Sequence, residues 1–124
     1  MKDFRNLQVW HKAHALTLVS YKVTDKFPKQ EIYGLTSQVR RCAVSIAANI
    51  AEGWGKHGNA EFQRFLNIAI SSASELEYHF LLVHDLKFIS DIDYKSLHSK
   101  VVEIKRMLAA LVSKIQTERL QAEC

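Results

Sequence analysis

Leu97, Val101, Ile104, Leu108, Leu111 and Ile115 step along the chain by four, three, four, three and four residues. A strand cannot use that spacing, because its side chains alternate faces every second residue. A helix returns to the same face every three to four residues. The alternation makes a coiled-coil-like seam, suited to packing at about 20° against a neighbouring helix. It predicts a helix over about 94–120, with Asp91 or Asp93 as its cap.

The same period recurs three more times. Leu7, Val9, Trp10, Ala13, Leu16, Leu18, Tyr21 and Val23 predict a helix over about 7–26, ended by Phe27-Pro28. These residues cover more than half the helix circumference and leave Lys12, Lys22 and Lys26 on a narrow polar strip. A helix that apolar is expected to be buried on more than one side, and the surplus points to a subunit interface. Leu35, Val39, Cys42, Ala43, Ile46, Ile50 and Trp54 predict a second helix over 35–53, after a turn KQEIYG. Gly53 and Gly55 are expected to terminate it. Phe62, Phe65/Leu66, Ala69, Ala73, Leu76, Phe80 and Val83 predict a third over 60–86, with Asn59 as its cap. Only one proline and four glycines interrupt 124 residues, which favours long helices over many short strands. The fold expected is all-α: an antiparallel up-down-up-down four-helix bundle, one domain, 1–124.

No apolar run approaches the roughly 18 residues of a membrane span. The stretch MKDFRNLQVW lacks the apolar segment of a secretory leader. A cytoplasmic protein with no membrane partner is expected. Cys42 among alanines and Cys124 at the last position fit a buried thiol and a tail thiol in a reducing compartment.

The net charge of +4 is unevenly spread. Residues 1–30 carry six Lys/Arg against two Asp/Glu, whereas residues 59–93 carry two against six. Such asymmetry can mark an acidic partner such as RNA, or complementary helix or subunit faces. Lys12, Lys22, Lys26, Arg40 and Lys56 are the candidate nucleic-acid contacts. Lys2, Arg5, Lys29 and the Lys95–Arg119 series add basic charge without a dense run. No RNP aromatic motif, KH loop or zinc finger is present, so contacts would be directed at phosphates and sensitive to salt.

Catalytic patterns are missing. A dimetal bundle needs two Glu-x-x-His elements, and the nearest feature is a single Glu75/His79 pair spaced by four. His11 and His14 have metal-compatible spacing but no carboxylate or thiolate beside them. Arg5 and His11 match the Arg-x4–6-His spacing of toxin-type RNases, though at the start of the first helix and not in a late one. No Gly-x-Ser-x-Gly elbow occurs, and GWGKHG lacks Walker spacing. The start of the third helix at Gly58-Asn59, beside Lys56 and His57, could offer backbone N–H groups to a phosphate. No enzyme, no cofactor and no metal site is expected.

The stretch QVRRCAVSIAANIAEGWGK divides on a helical wheel. Gln38, Arg41, Ser45, Asn49, Glu52 and Lys56 fall within about 80° of one another at about 100° per residue. Ala43, Ala47, Ala48 and Ala51 allow another backbone to approach. Arg40 points elsewhere. Ser45 and Asn49 are poor helix formers. Their place in mid-helix suggests a polar network at an interhelical or intersubunit contact, with Arg41 and Glu52 as charge partners of neighbours.

The segments FRNLQVWHKAHAL, FPKQEIYGLTSQVRR, SIAANIAEG and EFQRFLNIAISSASELEYHF carry a family resemblance. In their order and spacing the chain resembles the proteins encoded within intervening sequences of bacterial 23S ribosomal RNA genes. These in turn resemble the accessory variability determinant of diversity-generating retroelements. The resemblance implies a helical bundle assembled as a homopentamer with a central channel. It implies association with rRNA or another structured nucleic acid, or with a ribonucleoprotein or a reverse transcriptase, through basic surfaces. The alternative it leaves is a scaffold for a protein partner, such as a reverse transcriptase or another polymerase, without direct RNA binding. It brings no catalytic residue. The positions that match the family block are Gln38, Arg40, Arg41, Ser45, Asn49, Glu52 and Gly53, and later Glu61, Phe62, Phe65, Glu75 and Glu77. Ala48 stands where proline is common, and Lys56 where arginine is common.

Overall fold

The four stretches of 3.6-residue period become four helices: α1 (Gln8–Thr24), α2 (Leu35–Trp54), α3 (Asn59–Asp85) and α4 (Asp91–Glu123). Phe4–Asn6 and Lys29–Glu31 add single turns of 3-10 helix. The structure, a computed structural model, describes residues 3–56 and 58–123. Lys2, His57 and Cys124, named above, lie outside the described residues. Among those residues there is no strand, and no helix is long and apolar enough to cross a membrane.

The apolar stripes of α2, α3 and α4 and part of that of α1 face one shared core. On α3 it is Phe62, Leu66, Ala69, Ala73, Leu76, Phe80 and Val83, all buried, with Phe65 half-buried beside them. On α4 the stripe is Leu97, Val101, Ile104, Leu108, Val112 and Ile115. Val112 takes the place expected for Leu111, which is half-buried. A straight helix drifts from a strict seven-residue repeat, and by that point the drift has brought the next residue inward. α1 packs on α2 and α4, and α3 packs on α2 and α4, with no close backbone approach across either diagonal. The α2–α3 seam is the broadest and the α1–α4 seam the narrowest.

Small residues line the buried faces of α2 and α3. Cys42, Ala43, Ala47, Ala69 and Ala73 are buried, whereas Ala48 is exposed and Ala51 half-buried. Gly53 does not terminate α2, which continues through Trp54 and is capped by Gly55. A Cβ at Gly53 would stand 2.6 Å from the Phe65 Cβ. The missing side chain is a packing requirement, not a stop signal.

The caps differ from expectation for similar local reasons. Ser90 caps α4, its Oγ accepting from the Asp93 N–H at 3.1 Å, so Asp91 and Asp93 lie within the first turn. Asn59 lies inside α3, and Gly58 at φ 85° precedes it. Gly34 precedes α2 without a side chain, and the Glu31 carboxylate accepts from the Leu35 N–H instead. α1 stops at Thr24. Phe27 is nevertheless buried, and its ring lies 5.5 Å from that of Phe88, tying the α1–α2 connection to the α3–α4 connection.

The apolar surplus of α1 is not absorbed within the chain. Its buried residues, Val9, Ala13, Leu16, Ser20 and Thr24, form one stripe. Leu18 remains 56% exposed and Tyr21 42% exposed.

Candidate functional site

Two polar residues of α2, Arg41 and Ser45, reach across its seam with α3. Arg41 donates to the Gln38 amide oxygen at 2.6 Å and to Glu75 Oε2 on α3 at 2.9 Å. One turn on, the Ser45 and Ser72 hydroxyls share a hydrogen bond of 2.8 Å across the seam. Asn49 turns back along its own helix, donating to the Ser45 carbonyl at 2.8 Å and to its Oγ at 3.1 Å. Glu52 pairs with Lys56, just beyond the end of α2, at 3.2 Å and not with another helix. Arg41 and Ser45 therefore bridge two helices, while Asn49 and Glu52 close local bonds.

At the Arg41 end, three side chains with metal-ligating atoms converge. Cys42 comes from α2, and Glu75 and His79 from successive turns of α3. The His79 Nε2 lies 3.2 Å from Glu75 Oε2. Burial pushes the Cys42 thiol up to about 12, and its hydrogen bond to the Glu75 carboxylate adds to the rise. That thiol bond holds the Glu75 carboxyl below its ordinary value, with further help from His79 and Arg41. A thiol so raised is protonated and a poor nucleophile at neutral pH. The helical offset of four between Glu75 and His79 was visible in sequence. The third member was not, because it arrives from another helix.

The candidate basic contacts divide into two sets. Arg40 lies in the α1–α2 seam, donating to Thr24 Oγ1 at 2.8 Å and to Asp25 at 2.9 Å, with its guanidinium over the Tyr21 ring. Lys12 pairs with Glu103 on α4 and Lys56 with Glu52, both as exposed pairs of small energetic weight. Lys22 and Lys26 are exposed and form no ion pair among the described residues, and Lys29, Lys87, Lys95, Lys100, Arg106 and Lys114 share that state. The acidic stretch 59–93 is largely matched within the chain. Glu61 meets Arg64, Glu75 meets Arg41, Glu77 meets Lys105, and Asp85 and Asp91 meet His84. The Arg5 guanidinium goes to Asp3, and His11 Nε2 reaches only the Arg5 carbonyl.

This arrangement of helices and seam residues has relatives. A family model described as 23S rRNA-intervening sequence protein matches residues 5–110. The chain belongs to that family. Among solved structures, this family member is similar to a protein of unknown function from the S23 ribosomal protein family of Bacteroides thetaiotaomicron. The TM-score is 0.79 at 25% identity, over 85% of this chain and 95% of that one. No curated protein matches the family member.

Proposed function

We propose that this chain is a non-enzymatic, cytoplasmic bacterial protein that assembles with copies of itself and contacts rRNA or another structured RNA through phosphate-directed lysines. The observation that carries the reading is the family match over residues 5–110, whose name ties these proteins to 23S rRNA. The unpaired Lys22, Lys26 and Lys29 support it, because a cation without an intramolecular partner gives up nothing when a phosphate replaces its counterions. The helices form one domain, an antiparallel up-down bundle. Cross-helix pairs support this, since numbers rise on one helix as they fall on the next: Arg41 with Glu75, Ser45 with Ser72, Gly53 with Phe65.

Self-association rests on the uncovered apolar residues of α1, Leu18 and Tyr21, and on the adjoining Ile32, Tyr33 and Val44. Tyr21, Ile32, Tyr33, Arg40 and Val44 line a groove of about 630 Å³. A homopentamer is the assembly expected, and symmetry would repeat each basic cluster around it. Sedimentation should show an oligomer at micromolar concentration, and a clean monomer would remove this part of the proposal.

The same groove favours the alternative, a scaffold whose partner is a protein such as a polymerase or reverse transcriptase. Co-purification from the native host separates the two. Nuclease treatment should release the partners of an RNA-bound protein, and complexes that survive it would favour the scaffold.

A further inference from the structure

The Cys42 sulfur, a Glu75 carboxylate oxygen and a His79 ring nitrogen lie within 4.8 Å of one another at the α2–α3 seam. Cys42 is fully buried, and the His79 side chain is only 12% exposed. Glu75 and Arg41 form the solvent rim. The group thus has a dry floor and one wet side. His79 is poorly explained as a structural residue. Its Nδ1 is buried without a hydrogen-bond partner, and its Nε2 shares a single carboxylate oxygen with Arg41. An apolar side chain would fill the same space without leaving a buried nitrogen unsatisfied.

We propose that Cys42, Glu75 and His79 form a three-ligand site for a borderline-soft divalent cation of the zinc type, with the fourth position open to water. One sulfur, one imidazole nitrogen and one carboxylate oxygen are the donors such an ion accepts. Donors on a tetrahedral zinc stand roughly 3.5 Å apart, so side-chain rotations of about 1 Å close the group. Binding converts the Cys42 thiol to thiolate, and its proton leaves to solvent. Thiolate and carboxylate then neutralise the two charges of the ion. The burial and the neighbouring carboxylate that keep the thiol protonated are both offset by a cation between them. Arg41 is the competitor, since its guanidinium pairs with Glu75 at 2.9 Å. It is 58% exposed and already bonded to Gln38, so it can swing outward.

The test is a cobalt(II) titration of Cys124→Ser protein, in which Cys42 is the only thiol. A near-ultraviolet sulfur-to-cobalt charge-transfer band should saturate at one ion per chain and be bleached by zinc. Affinity should rise with pH, about tenfold per unit for the one thiol proton released. Glu75→Gln and His79→Asn should each weaken binding at least about tenfold. Arg41→Ala should tighten it, an outcome that a merely structural cluster would not give. Absence of the band, or a band that survives Cys42→Ala, would overturn the site. Should Cys42→Ala fail to fold, the variants at the exposed Glu75 and Arg41 decide: unchanged affinity in both rejects the proposal.

Discussion

Gly53 shows how one missing methyl group fixes the separation of two helices. Alanine is the better helix former by about 1 kcal/mol, so Gly53→Ala would stabilise an isolated α2. Here the new Cβ would meet the Phe65 Cβ at 2.6 Å and the Phe62 ring at 3.1 Å. A Cβ cannot rotate away, so α2 and α3 must part. The clash outweighs the propensity gain, and denaturant unfolding should show a net loss of about 1–3 kcal/mol. Ser20 predicts the opposite sign. Its hydroxyl is fully buried with no hydrogen-bond partner, although the Thr24 hydroxyl one turn on bonds the Ser20 carbonyl. Ser20→Ala removes an unsatisfied group from a helix interior and should raise stability by about 1 kcal/mol in the same assay. Neither residue was legible in the sequence. A glycine near a helix end resembles a terminator, and a buried serine resembles a polar-face serine, until the facing helix is known.

At the scale of elements, the α3–α4 connection depends on contacts that periodicity does not encode. Lys87 adopts φ 65°, and the Phe88 N–H donates to the Val83 carbonyl while the Lys87 N–H donates to that of His84. This is a Schellman ending with lysine where glycine is usual. His84 closes the turn, its Nε2 2.6 Å from Asp91 and its Nδ1 3.3 Å from Asp85. The hydrogen bond to Asp91 raises the His84 pKa above its ordinary 6.5, and His84 lowers that of Asp91 below 3.8. The histidine contribution is therefore full below about pH 6.5 and is lost as pH rises through the raised value. The aspartate contribution is present above pH 3.8 and is lost as pH falls through the depressed value. Amide exchange around Phe88–Asp91 should accelerate, beyond its intrinsic pH dependence, as pH rises from 6 towards 8. His84→Ala should abolish that extra step, and an unchanged profile would refute the clamp. The stripes of α3 and most of α4 were legible because burial follows the 3.6-residue period. The caps were not, because Ser90 and Glu31 cap with side-chain oxygens, and Lys87 with a positive φ, at positions that the 3.6-residue period does not mark.

For the whole molecule, four helices over a shared core and membership of the 23S rRNA-intervening sequence protein family were both legible, the first from period and the second from the block around Leu35–Gly53. The seam chemistry was legible only in part. The wheel grouped Gln38, Arg41 and Ser45, yet Glu75 and Ser72, the partners of Arg41 and Ser45, lie roughly thirty residues away in sequence and become neighbours only when α3 packs on α2. The charge asymmetry changed its meaning most. Much of the acidic stretch is matched by cations of α2, α3 and α4, whereas Lys22, Lys26 and Lys29 are among the exposed cations that form no ion pair with the described residues and support the RNA reading, as are Lys87, Lys95, Lys100, Arg106 and Lys114. Filter binding of 23S rRNA fragments across a salt series tests that reading most directly. The wild-type chain should retain RNA at low salt, with affinity falling steeply as salt rises. A Lys22→Glu/Lys26→Glu/Lys29→Glu variant should bind more weakly, with a log–log salt slope shallower by about two to three. No retention at low salt, or retention that the triple variant leaves unchanged, would contradict the account.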